Sequence, residues 1–180
     1  VGTDGTALMF ALTENNWLGR GVRVEGGATI SKSKISGNLS VSNPNYKYTG
    51  NAVFSSLNIS STDAKDTSGY ESSKTGFSLG TKFEQYENVY LSPSIDMSYE
   101  DISVDATATD AVKKMEGNFA NIDFGYGISL DKRNQVFQPT DGYKTNFVQT
   151  LPLLQDSSSI MTGLTGSIYH AITEDVIGSI

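Results

Sequence analysis

The chain has 180 residues, with 13 basic and 20 acidic side chains, a net charge of −7, no cysteine and only 18% charged residues. No basic patch is available to neutralise phosphates, so nucleic acid is excluded as a partner, and a disulfide framework or cysteine-based metal site is excluded with it. A mean hydropathy of −0.27, with no run near the ~20 apolar residues that a membrane helix needs, excludes a helical membrane protein.

Val1 follows neither a Met nor a basic and apolar leader, so no signal peptide is expected within the sequence. Thr6 to Glu14 sets Leu8, Phe10 and Leu12 against Ala7, Met9 and Ala11, and runs into a turn-like NNWLGRG. Arg20 to Ser33 then alternates Val22, Val24, Gly26, Ala28 and Ile30 with Arg23, Glu25, Gly27 and Thr29, which predicts a hairpin of two long strands. Ile35, Gly37, Leu39 and Val41 continue the alternation until Asn43-Pro44-Asn45, where proline has no donor for a ladder. Asn51 to Thr62 carries Val53, Leu57 and Ile59 on one side and Phe54, Ser56, Asn58 and Ser60 on the other.

Gly69 to Phe83 resumes with Phe77, Leu79, Thr81 and Phe83 on one parity, turns near Gln85, and continues through Val89, Leu91, Pro93, Ile95, Met97 and Tyr99. Pro93 inside this strand predicts a bulge or distortion, because a closed wall has no free edge to accommodate it. Ile102 to Gly117 breaks the rhythm, with DAVKKME reading as a short helix in a polar loop. The most regular stretch runs from Asn118 to Leu151. There Ala120, Ile122, Phe124, Tyr126, Ile128 and Leu130 oppose Asn121, Asp123, Gly125, Gly127, Ser129 and Asp131, and a polar turn leads into a second strand. Ser157 to Ile172 is a weaker last strand that ends near Glu174-Asp175.

These strands exceed the roughly 5 to 6 residues usual in globular domains and match the roughly 9 to 11 of a membrane-crossing strand. The prediction is an all-β chain: a transmembrane antiparallel up-and-down β-barrel, present as a partial barrel of about nine strands over residues 1–180. Short turns near Asn16, Lys34, Gln85 and Pro139 are expected on one rim, and longer polar loops near Asp63 and Asp110 on the other. Trp17, Tyr46, Tyr48, Tyr70, Phe83, Tyr86, Tyr99, Phe119, Phe137 and Tyr143 fall near strand ends, as interfacial girdles do. Arg23, Glu25, Lys82, Asp96, Asp123 and Asp131 avoid the apolar parity and read as lumen lining. A soluble sandwich or β-solenoid is the alternative, disfavoured by strand length. An odd strand count leaves unpaired backbone in lipid, so the expectation is a fragment of a longer barrel, unable to close alone; a miscounted weak strand, giving a small closed barrel, is the alternative.

Three runs, NNWLGRG, LSVSNPNY and FGYGISLDKRNQVFQPTDGYKTNF, resemble the BamA-type outer-membrane protein assembly factors of the bacterial surface antigen family. Family motifs fall on Asn16, Trp17, Leu18, Gly19 and Gly21, then on Ser42, Asn43 and Pro44, then on Asp131, Arg133, Asn134, Phe137, Pro139, Thr140 and Gly142. The resemblance covers essentially the whole chain and implies the first half or so of a barrel of about sixteen strands. The family's periplasmic repeat domains, its Val-Arg-Gly-Phe loop and its closing strands have no counterpart here. The resemblance implies a protein of the bacterial outer membrane that folds and inserts β-barrel clients without covalent chemistry, at a weakly paired lateral seam. It also implies as partners the lipid bilayer, unfolded clients and accessory assembly lipoproteins.

On that reading Thr6, Ala7, Leu8, Met9, Phe10, Ala11, Leu12, Thr13 and Glu14 form the seam strand, offering backbone groups to a client strand, and bilayer thinning assists insertion. A passive porin or a polypeptide translocase of the same family is the alternative. The third motif also reads as a register-setting periplasmic turn, with Asp131 and Arg133 paired, Pro139 stopping the ladder and Asp141-Gly142 supporting a tight turn. No enzyme activity and no cofactor or metal is expected: His170 is the single histidine and no G-x-S-x-G elbow accompanies it.

Overall fold

Two-residue alternation over bilayer-length segments becomes ten antiparallel strands in a computed structural model describing residues 6–154, 159–173 and 176–180. They are β1 (Leu8–Trp17), β2 (Val22–Ile30), β3 (Lys34–Asn43), β4 (Ala52–Ala64), β5 (Tyr70–Tyr86), β6 (Val89–Val104), β7 (Gly117–Asp131), β8 (Asp141–Leu154), β9 (Met161–Ala171) and β10 (Ile177–Ser179). Each strand pairs with its neighbours in sequence, from β1 through to β10, and among the described residues the two ends of the sheet do not meet. Nine strands are the long ones predicted. The tenth has three residues, too few to show a rhythm, and is defined by pairing with Tyr169 to Ala171 of β9. Ser157 and the predicted end at Glu174-Asp175 lie outside the described residues.

Cross-strand pairing carries one face across the wall: Val41, Ser55, Leu79, Ile95, Phe124 and Leu151 stand opposite one another in turn. The neighbouring row on the other face is Ser40, Ser56, Ser78, Asp96 and Asp123. No large hydrophobic side chain is buried among the described residues, while Leu8 at 59% and Phe10 at 62% exposure typify the apolar face. A single layer with one greasy face has no internal core, so hydrocarbon must cover that face. Among the described residues no helix is long and apolar enough to cross a membrane.

The water boundary can be placed on β5 and β6, which have 17 and 16 residues. On the apolar parity, Thr75 and Tyr99 pair, and beyond them come Ser73 with Asp101 and Glu71 with Ser103. Tyr99 therefore stands at the interface although it lies well inside β6. From Tyr99 back to Leu91, eight steps of ~3.4 Å along a strand tilted by ~40° span roughly 21 Å of depth, close to the apolar band of a membrane barrel.

The rim expectation is corrected, and the bulge or distortion expected at Pro93 takes the second form. Strand parity puts the turns 18–21, 44–51, 87–88 and 132–140 on one rim and 31–33, 65–69 and 105–116 on the other, so the short turn near Lys34 shares a rim with the loops at Asp63 and Asp110. Both rims mix short and long connections. At Pro93 the ladder stops at Gly80–Ser94 and resumes at Phe83–Leu91 with unchanged register, a break without an inserted residue. Pro93 still pairs with Tyr126 of β7, so its missing N–H falls on the β5 side. The predicted helix in 102–117 is one turn, Asp110–Lys113, and β6 continues to Val104 before it.

Candidate functional site

The first motif is a bulge followed by a turn. Glu14 pairs with Val24 and Trp17 with Val22, so β1 carries one extra residue at Asn15-Asn16, and Asn16 and Trp17 belong to the strand. The Asn16 carboxamide oxygen accepts from the Gly21 N–H at 2.6 Å, and its carbonyl accepts from Gly19 N at 3.0 Å. Leu18, Gly19 and Gly21 have φ of 55°, 71° and 66°, which explains glycine at two of these three places. In the second motif Asn43 ends β3 and Pro44 follows it; Asn43 Oδ1 accepts from Asn45 N at 3.0 Å, and Asn45 Oδ1 closes the loop onto Gly50 N at 2.8 Å.

The third motif holds the nine-residue connection 132–140 rigidly at both ends. Arg133 donates to both carboxylate oxygens of Asp131, Nε at 2.8 Å and Nη2 at 2.7 Å, a bidentate pair that curls the chain as it leaves β7. Asn134 is the clip: its Oδ1 accepts from Thr140 N at 3.1 Å and Asp141 N at 3.2 Å, and its Nδ2 donates to the Thr140 hydroxyl at 2.6 Å. The tip presents Val136 and Phe137 to the surroundings at 80% and 79% exposure. Asp141 and Gly142 open β8, which corrects the expectation of a tight turn at that pair. Gly142 has φ of +99°, and a Cβ there would meet Arg133 Cα at 2.9 Å and the Lys132 carbonyl oxygen closer still. Glycine is demanded by backbone crossing backbone.

Asp131 closes β7 at the rim, beyond the apolar band. The Arg133 hydrogen bond pulls its pKa to about 2, against partial desolvation, and Arg133 is raised by the same bond. A carboxylate with a depressed folded pKa contributes stability above its unfolded pKa and loses it as pH falls through the folded one. The turn should therefore resist protease equally from pH 8 down to about pH 4 and loosen between about pH 4 and pH 2. Asp131→Asn should raise cleavage within 132–140 several-fold at neutral pH and flatten the dependence; an unchanged acid transition in that variant would reassign it to another group.

The predicted seam strand is β1 from Leu8 onward, with Thr6 and Ala7 preceding it. Every β1 residue is exposed, and among the described residues β1 is paired on one side only, with β2. The lumen-facing charges are engaged: Arg23 bonds Glu25 and Asn15, Lys74 pairs with Glu100 at 3.2 Å, Asp96 accepts from Ser78 and Ser94, and Lys82 lies 4.9 Å above the Tyr90 ring. His170 lies at the rim, 3.8 Å from Asp141, with both side chains largely exposed. No group of three His, Cys, Asp or Glu able to hold a metal occurs among the described residues.

Sequence alternation missed one polar chain on the apolar face. Tyr126 donates to Gln149 Oε1 at 2.7 Å, and Gln149 Nε2 donates to Thr162 at 3.0 Å, linking β7, β8 and β9. A glutamine facing hydrocarbon is tolerable only when its amide is satisfied in this way. Its one sequence signal was Gln149 on the same parity as Phe147 and Leu151.

The Omp85 superfamily domain matches residues 16–179. None of the curated proteins matches the chain in sequence. Among solved structures, BamA from Haemophilus ducreyi lacking POTRA domains 1-3 is similar in fold, with a TM-score of 0.68 at 18% identity over 97% of this chain. The chain spans 36% of the length of that protein. Its strands are thus part of a wall of the BamA barrel fold, and the chain belongs to the Omp85 superfamily of bacterial outer-membrane proteins.

Proposed function

We propose that the protein to which this wall belongs folds and inserts β-barrel clients into the bacterial outer membrane, and that β1 is the strand on which clients pair. The observation that carries the reading is the match of residues 16–179 to the Omp85 superfamily domain, on a wall with the BamA barrel fold. A strand edge in lipid holds unsatisfied N–H and C=O groups, each costing several kcal/mol, and an incoming strand removes that cost by adding to the ladder. No covalent step is needed, since the free energy comes from backbone pairing and from burial of the client's apolar face in hydrocarbon. The partners are the bilayer, unfolded clients and the accessory lipoproteins of an assembly complex.

The test is cysteine cross-linking in the parent protein, with thiols at Phe10 and Leu12 and a client stalled during insertion. Cross-links to a terminal strand of the client support the reading. Capture of those thiols by another strand of the same polypeptide, whether or not client is present, overturns the choice of β1. Export of a soluble passenger polypeptide, with client insertion intact after the protein is depleted, would instead establish a translocase. A steady conductance with neither effect would establish a porin.

A further inference from the structure

The break in the β5–β6 ladder opens a crease on the apolar face of the wall, of about 360 Å³, lined by Val53, Leu79, Thr81, Pro93, Ile95 and Phe124. We infer that this crease is a binding site for a single acyl chain of a membrane lipid, distinct from the ordinary lipid that coats the rest of the wall.

Three observations fit that occupant. The crease sits on the row that runs through Leu79, Ile95 and Phe124, continuous with the face that hydrocarbon covers and near the middle of its depth. Its lining offers nothing to a headgroup: the Thr81 hydroxyl donates to Ala52 O at 2.7 Å, and the Ser94 hydroxyl lies on the opposite face, where it donates to Asp96 at 2.9 Å. On the lumen side the crease is backed by Phe54. The Phe54 ring lies so close over Gly80 that a Cβ there would stand 2.6 Å from Phe54 Cε2 and 3.0 Å from Pro93 O. A concavity at mid-depth on the face that hydrocarbon covers admits an acyl chain and excludes a headgroup. A chain lying in it covers the break that Pro93 leaves.

The test uses the full-length protein in vesicles of phosphatidylethanolamine doped with a phospholipid carrying a diazirine in mid-chain, followed by mapping of labelled residues. Labelling at Val53, Ile95 and Phe124 should exceed that at Leu39 and Leu57, on the same face at similar depth, at least five-fold. Ile95→Trp, which fills the crease, should bring Val53 and Phe124 down to the level of Leu39. Uniform labelling of all five positions in the unaltered protein means coating lipid only and overturns the inference without needing the variant. So does protection of the crease by added client polypeptide, which would assign it to a protein occupant.

Discussion

Gly142→Ala should destabilise the folded wall by about 3–5 kcal/mol, a cost reserved for substitutions that force backbone into backbone. A Cβ at Gly142 meets the Lys132 carbonyl and Arg133 Cα, and neither can rotate away as a side-chain end would. Those same atoms are fixed by Lys132 N to Tyr143 O at 2.8 Å and by the Asp131–Arg133 pair, so relief would require dismantling the turn that sets the β7–β8 register. Gly19→Ala is the matched control: its φ of +71° is equally left-handed, but nothing lies within 4 Å of the added carbon. Only the conformational cost of about 1–2 kcal/mol applies there. Urea midpoints of the parent protein in vesicles, read by heat-modifiable migration, should rank the two in that order. Equal midpoints would show that the crossing at Lys132 is not tight.

The second large effect is expected at Phe124→Arg. Phe124 is the middle residue between Ala120 and Ile128 on the apolar parity of β7, paired with Ile95 and Leu151, so it stands at the centre of the hydrocarbon band. A charge at that depth should cost about 2–4 kcal/mol. Asn121→Arg, on the opposite face opposite Ser98, should cost little, since the lumen is wet. Vesicle refolding yields and urea midpoints of the two variants separate the faces. If Asn121→Arg is the more damaging, the faces are reversed and the wall is not the one described.

The faces were legible in the sequence because side-chain direction along a strand is fixed by covalent geometry: once Phe124 and Ile122 share a side, Asp123 must take the other. Strand length was legible for the same reason. What depends on register was not. The bulge at Asn15-Asn16, the place of Gly142 against Lys132 and the Tyr126–Gln149–Thr162 chain all arise from which residues of separate strands meet, and local sequence does not state that. The turn near Lys34 falls on the rim of the long loops because the number of strands before it, not its length, decides its side. Tyr99 does not stand at a strand end as expected, because β6 runs on to Val104. The three motifs located the turns, while the hydrogen bonds of Asn16, Asn43 and Asn134 show why asparagine recurs in them, each carboxamide closing a loop onto backbone N–H groups.

A wall with no interior of its own leaves half of its folding code to the medium. Before such a chain meets a bilayer, every leucine and phenylalanine of its outer face is an adhesive spot in water, and the long edges of its strands invite pairing with any neighbour. Such a face is safe only once hydrocarbon covers it, so folding and membrane entry are one event rather than two.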